Sequence, residues 1–458
     1  MQCSKSAVIT VWLLCPAAYG APAHDVAHKQ PVIIVHAGWL LAKPGVVPVR
    51  KNQSIVIRNG QIGEIRDGFV RESDVGGTAD GVSIIDLADS FVLPGLIDTH
   101  VHLAANVVPE EGWQPSNTLS YIVKTDADWG FTIFANARIT LESGFTTVRD
   151  LGEPEPSKAI FAVRRAIAAG IVSGPRILAC GAAITQTGGI ADWMPFRPEV
   201  RAAFANRAAI CNGADDCRRA ARNELRNGAD VLKVYLTGDD IDVVNPEHGD
   251  TQPMFDDEVK AIVDVAHKMN KRVAAHVLGE KGFSQAVRTG VDSVEHGEGM
   301  TDELIRLMKE KGTFLVPTLA LDDPALLPPK FRTKGILDYE RKHAEMTRRA
   351  HAAGVKIAFG SDAGELQHGH NWEEFIGLSK SGFSPIEAIG AATVVSAELL
   401  GLSAEIGTLE PGKAADVIAT KASPLDDLSE LGRVIFVMKG GEVIKAPKRS
   451  ATAEPVGS

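Results

Sequence analysis

His100 and His102 close an apolar run, Phe91 to His102, that reads F-V-L-P-G-L-I-D-T-H-V-H. Alternate residues of a β-strand share a face, so both imidazoles point into the space beyond the strand end. Paired imidazoles are one corner of a transition-metal site. The pair alone is weak evidence, because two of thirteen histidines fall two apart by chance fairly often and a solvated turn could use them equally well. Ligand-type residues recur, however, at the ends of other short apolar segments. Lys233 lies in V-L-K-V-Y, His276 ends R-V-A-A-H, His296 ends V-D-S-V-E-H and Asp362 ends I-A-F-G-S-D. Each has a bland alternative: a hydrogen-bonded structural histidine, a helix cap at Asp362, or a Lys233 that snorkels or pairs with a carboxylate.

The elements that must position these residues decide between the two readings. From Pro94 onward the pattern is strand, loop, helix, repeated. Candidate strands end near His100, Asp150, Cys180, Tyr235, His276, Glu295, Thr318 and Ser361, with helical stretches such as Phe255 to Asn270 and Tyr339 to Ala353 between them. Eight strands alternating with helices over about three hundred residues predict an α/β fold, a parallel (β/α)8 TIM-like barrel over 93–402. Such a barrel aims its strand ends at one volume, so strands one, four, five, six and eight would deliver their ligand-type residues together.

The flanks read differently. Val32 to Val35, Ser54 to Arg58, Gln61 to Ile65 and Val82 to Leu87 look like short strands, with Asn59-Gly60 as a hairpin turn. Val417 to Ala419, Val434 to Lys439 and Glu442 to Ile444 repeat that character after Leu402. Neither end is long enough to stand alone. Residues 31–92 and 403–447 are therefore expected to combine into one small β-sandwich domain, with 448–458 a flexible tail.

The chain has 458 residues, 45% of them hydrophobic and 23% charged, which suits a globular protein with a large core. A formal charge of -10 argues against nucleic acid as the main partner. Self-association into a homo-oligomer is left open. Lys5, the apolar run Ala7 to Leu14 and the small residues Ala17 to Ala23 read as a signal peptide over 1–23, too short to span a bilayer, and later stretches offer no membrane span. Export to a periplasm or the outside follows. In that setting Cys211 and Cys217, flanking N-G-A-D-D, are either a short-loop disulfide or two free thiols, and Cys180 is left single and buried.

The motifs P-G-L-I-D-T-H-V-H, K-V-Y, H-V-L-G, V-E-H-G and G-S-D-A-G, in this order and closed by I-G-T-L-E-P-G-K-A-A-D-V, resemble the amidohydrolase superfamily over nearly the whole chain beyond the leader. The pattern is similar to its two-metal members with a carboxylated lysine. That resemblance implies two divalent metal ions, zinc by preference. His100, His102 and Asp362 would hold the more buried ion and His276 and His296 the other, with a CO2-derived carbamate on Lys233 bridging them. The chemistry agrees, since a neutral, desolvated lysine can add carbon dioxide and the carbamate is an oxygen ligand. The implied reaction is hydrolysis by a water shared between two dications, with Asp362 moving the proton.

Substrate contacts must come from the loops 104–129, 182–212 and 238–254 and from residues at the pocket rim. Tyr235 shares a strand face with Lys233 and could bind substrate, or be a core tyrosine. Arg149 could meet a substrate carboxylate, or pair with Asp150 or Glu153. His368 and Asn371 follow Asp362 and could reach the pocket, or lie in a solvated loop. After Gly188-Gly189, where related enzymes often carry a histidine, this chain has Ile190. The closer resemblance is to the branch holding imidazolonepropionase-like proteins, Xaa-Pro and related metallo-dipeptidases or carboxypeptidases, and ochratoxin-hydrolysing amidases. It implies cleavage of an amide bond in a small-molecule amide, dipeptide or N-acyl amino acid. A cyclic amidase or lactonase is the rival activity, and a non-catalytic binding protein the rival of another class.

Overall fold

The computed structural model describes residues 32–447 apart from 77–80, 107–119, 121–122, 153–157, 193–196, 198, 200–208, 239–252 and 324–333. The expected leader and tail lie outside the described residues, as do Glu153 and much of the three expected loops. The strands are β1 (Val32–Leu40), β2 (Arg50–Arg58), β3 (Gln61–Asp67), β4 (Val82–Pro94), β5 (Leu96–Val101), β6 (Phe145–Asp150), β7 (Arg176–Ala179) and β8 (Ile184–Thr185). They continue with β9 (Ala209–Ile210), β10 (Val231–Tyr235), β11 (Arg272–Val277), β12 (Ser293–His296), β13 (Phe314–Val316), β14 (Val417–Thr420), β15 (Phe436–Lys439) and β16 (Glu442–Lys445).

Both chain ends meet in one seven-stranded sheet, in the order β16-β15-β14-β4-β1-β2-β3. The long β4 joins them, running parallel to β1 and pairing antiparallel with β14 from Val417 opposite Pro94 to Thr420 opposite Phe91. Asn59 and Gly60 turn the β2–β3 hairpin, both with positive φ as a tight primed turn requires. This turn lies against Gly440 although the two belong to opposite ends of the sheet order. A Cβ on Gly60 would sit 2.6 Å from the Gly440 carbonyl oxygen, and Ala415 donates its N–H to Gly60. The sheet therefore curls over on itself, and Val35, Ile55, Ile57, Val417, Phe436 and Met438 fill the space it encloses. The expected sandwich takes the form of a single folded-over sheet.

The middle of the chain alternates parallel strands with helices such as Asp126–Glu142, Asp256–Lys268, Glu280–Thr289 and Asp302–Lys311. The strands form two sheets, β5-β6-β7 and β13-β12-β11-β10-β8-β9. β5 and β6 are buried along their whole length, as strands covered on both faces must be. The expected third strand is broken, with β7 in one sheet and β8 in the other. β10 and the residue before it meet both pieces, through Asp230 N–H to Ala179 O (2.8 Å) and the Val234–Ile184 pairing. On the far side residues 356–363, which contain the I-A-F-G-S-D segment expected as strand eight, run between β13 and β5 as isolated bridges and not as a regular strand. Thr99 N–H to Phe359 O (2.8 Å), Asp362 N–H to His100 O (2.8 Å) and Ala358 N–H to Leu315 O (2.9 Å) fasten the segment on both flanks. Only glycine fits at 360, where a Cβ would lie 2.3 Å from a Val316 methyl carbon and 2.8 Å from the His100 Cβ.

No helix among the described residues is long and apolar enough to cross a membrane. Cys211 and Cys217 form a disulfide at the start of helix Ala214–Asn227, and Cys180 is buried outside any disulfide. Inside the closed loop, Asn212 accepts from Thr187 N–H (3.3 Å) and donates to Thr187 Oγ1 (2.9 Å), tying down the chain beyond β8. Replacing both cysteines by serine should lower stability by roughly 2 kcal/mol, the loop-entropy value for so short a ring. Thermal unfolding of the paired variant checks this, and an unchanged midpoint would refute it.

Candidate metal centre

The six sequence-predicted ligands converge. Asp362 Oδ1 lies 3.1 Å from His102 Nε2 and 3.5 Å from His100 Nε2. Ligand atoms of His100, His102 and Asp362 all fall within 4.8 Å of one another. The His296 ring stands 5.1 Å from His100 and 4.6 Å from His276, centroid to centroid, and His276 stands 5.2 Å from Tyr235. Lys233 is buried on β10 with its Nζ 5.8 Å from the Tyr235 ring centre.

Backbone geometry explains how adjacent residues can serve one site. Glu295 and His296 would face opposite sides of a regular strand. His296 has φ +64°, which breaks the alternation, so that Glu295 and His296 both meet His100. Among the described residues, the left-handed positions that are neither glycine nor asparagine are His296, Thr318 and Asp362. Each costs roughly 1–2 kcal/mol, and all three lie at this centre, where surrounding structure holds them.

Each of three imidazoles is gripped at Nδ1 by an acceptor. His100 Nδ1 donates to Glu295 Oε2 (2.9 Å), whose other oxygen takes Arg149 Nη2 (2.9 Å) and Ser293 Oγ (2.5 Å). His102 Nδ1 donates to Gly152 O. Thr318 gives its only hydroxyl proton to Pro317 O (2.7 Å), so towards His296 Nδ1 (2.8 Å) it accepts. With Nδ1 protonated, each Nε2 keeps its lone pair for a metal. His276 Nε2 and Asp362 Oδ1 are buried without a hydrogen-bond partner among the described residues. Orphaned buried acceptors are costly unless something binds them. Imidazole nitrogens with a carboxylate oxygen form a set that suits a divalent transition metal.

Burial strips protons from the histidines. Desolvation, reinforced by the nearby Lys233, brings His276 down to about 3 and pushes His100 and His296 well below the usual range. Burial alone would raise the Asp362 carboxyl, but the positive charge that His100, His102 and Lys233 carry whenever they are protonated outweighs it and holds the group at about 2. Lys233 is lowered by desolvation against the opposing pull of Glu295 and Asp362. Neutral imidazoles, an ionised carboxylate and a lysine pressed towards its free amine are the states that metal ligation requires.

The residues expected at the rim divide. Tyr235 stays at the centre beside His276. Arg149 is buried and donates to Thr99 O, Ser293 and Glu295, so among the described residues its pairing partner is Glu295 and not Asp150. His368 is buried, with Nε2 3.1 Å from Ala105 O and Nδ1 3.4 Å from Thr140 Oγ1, bracing the chain beyond His102. Asn371 donates to Asp98 (2.8 Å), which also accepts from Ser361 Oγ (2.5 Å) and from the N–H groups of His100 and Ser361 (both 3.1 Å). Asp98 thus ties β5 to 356–363 underneath the ligands. Sequence reasoning assigned no role to Glu295, Thr318, Asp98 or His343. The acid next to His296 in V-E-H and the one two residues before His100 were the available signals, and Thr318 and His343 carried none.

Glu295→Gln keeps the shape and removes the carboxylate that orients His100 and neutralises Arg149. Zinc affinity, measured by chelator competition, should fall 10- to 100-fold, and wild-type affinity would show that Glu295 does not position the ligand.

Comparison with known proteins agrees with this geometry. Residues 91–444 match the model of the Amidohydrolase family. The chain is 30% identical to an ochratoxinase of Aspergillus niger over an alignment that covers 91% of this chain and 87% of that protein. Among solved structures it is similar to a Xaa-Pro dipeptidase with methionine bound in its active site, at 33% identity and a TM-score of 0.77, covering 90% of this chain and 99% of that one. The A. niger ochratoxinase structure superposes with a TM-score of 0.78 at 26% identity, covering 92% and 96%. With its motifs in order, its strand ends convergent and a family match over most of its length, the chain belongs to the amidohydrolase family.

Proposed function

We propose that this chain is a metal-dependent hydrolase that cuts the amide bond of a dipeptide or N-acyl amino acid. The observation that carries the reading is the convergence of His100, His102 and Asp362, whose ligand atoms lie within 4.8 Å of one another, with Asp362 Oδ1 3.1 Å from His102 Nε2 and 3.5 Å from His100 Nε2. Similarity to an ochratoxinase and to a Xaa-Pro dipeptidase supports an amide substrate. We read the two parallel sheets, joined through β10 and 356–363, as a closed (β/α)8 barrel over 93–402. The folded-over sheet of 31–92 and 403–447 stands beside it as a composite domain.

In this reading His100, His102 and Asp362 would hold one divalent ion and His276 and His296 a second, and Lys233, once carboxylated by carbon dioxide, would supply an oxygen ligand shared between the two sites. Zinc fits the nitrogen-rich set. Bound there, the ions supply Lewis acidity that activates water and polarises the scissile carbonyl. The chain's own part is proton handling and placement. Asp362 receives a proton at its carboxylate and passes it to the departing nitrogen. Tyr235, on the same strand face as Lys233, hydrogen-bonds the substrate. Burial favours the free amine of Lys233, the form that adds carbon dioxide with release of a proton. Export fits the Cys211–Cys217 disulfide, since such bonds persist in oxidising compartments.

Zinc-loaded protein incubated with dipeptide and N-acyl amino acid libraries should release free amino acids. Asp362→Asn should lower kcat by about 10²–10⁴-fold. Turnover of ring substrates alone, without amino acid release from any library member, would replace this reading with a cyclic amidase.

Lys233→Ala should lose metal and activity together, and a short carboxylic acid such as acetate should restore part of both. Full activity in Lys233→Ala without added acid would rule out a bridging carbamate.

A further inference from the structure

We infer that His343 and Asp322 form a positioning pair that sets the backbone of His296 and so builds the β11–β12 half of the metal centre. The inference rests on the two-metal reading above. His343 lies on the helix Lys334–Ala353 and is buried. Its Nε2 is 2.9 Å from the His296 carbonyl oxygen and its Nδ1 is 2.6 Å from Asp322 Oδ2. A carbonyl and a carboxylate both accept, so both ring nitrogens donate and the ring is anchored at two points.

The His296 carbonyl needs such a donor. The pairing of β12 with β13 ends at Glu295 opposite Val316, and the left-handed turn at His296 carries the chain out of that ladder. The ring of His296 is then held at Nδ1 by Thr318, while its carbonyl is held by His343. Thr318 and Asp322 belong to one short segment, since the 3-10 turn Leu319–Asp322 begins directly after Thr318. One piece of chain thus fixes His296 from both sides, directly through Thr318 and through His343 by way of Asp322. Its energetic role is to hold a backbone conformation that a histidine adopts reluctantly.

The test is stepwise titration of the metal-free protein with cobalt(II), followed by its visible absorption, in wild type, His343→Ala, Asp322→Ala, the double variant and His343→Gln. The double variant removes both members, leaving no buried carboxylate unpaired, and its thermal unfolding checks the fold. Wild type should take up two ions. The alanine variants and the double variant should bind the first at wild-type affinity and the second 10- to 100-fold more weakly. His343→Gln, whose amide can still donate to the His296 carbonyl, should recover part of the loss. A double variant that binds both ions as wild type does would overturn the positioning role alone. A wild-type chain that takes up a single ion would overturn the two-metal reading and this inference with it.

Discussion

Two buried imidazoles and one half-buried one offer lone pairs to one another's space because each has its other nitrogen held elsewhere. A histidine in water is free to choose its tautomer and to pick up a proton. Here Glu295, Gly152 and Thr318 make the first choice, and at His100 and His296 burial prevents the second. Removing those acceptors would leave rings whose reactive nitrogens could turn away or protonate. Arg149, Asp98 and the left-handed turns at His296, Thr318 and Asp362 make sense as supports for that arrangement.

The supports form two groups with different physics. Under His100, the Arg149–Glu295 pair and the Asp98–Ser361–Asn371 cluster are buried ionic and polar networks, rigid because every member has partners. Around His296 the support comes from Thr318 and His343, which reach the ligand from the loop and helix that follow β13. One half of the centre is held from within the sheet, and the other by elements packed over its end.

Much of this was legible in the sequence because strand-end chemistry is local. The ligand-type residue within V-L-K-V-Y or at the end of R-V-A-A-H is visible wherever the strand lies, and order along the chain points to alternating parallel strands and helices. Asn59-Gly60 declared its hairpin for the same reason. What could not be read is chemistry made by contact across the fold. Arg149 was weighed against its sequence neighbours, while its partner Glu295 lies 146 positions away. His343 sits within an ordinary amphipathic helix, and nothing local marks it as reaching His296. The break in the third strand and the irregular run 356–363 depart from the even pattern because their hydrogen bonds go to two flanking strands at once.

The seam between β5 and 356–363 bears on how the protein is made. Thr99 and Phe359 are 260 residues apart, yet they are joined by both backbone and hydroxyl hydrogen bonds. The entropy of closing so long a loop grows only with the logarithm of its length, about 0.6 kcal/mol for each doubling. Order of synthesis matters more than that penalty. While the chain is being made, His100 and His102 emerge long before Asp362, and the sheet that frames the N-terminal strands waits for the last strands of all. The His100–His102–Asp362 cluster therefore waits for residue 362, and a chain cut short before it lacks the carboxylate that faces His100 and His102.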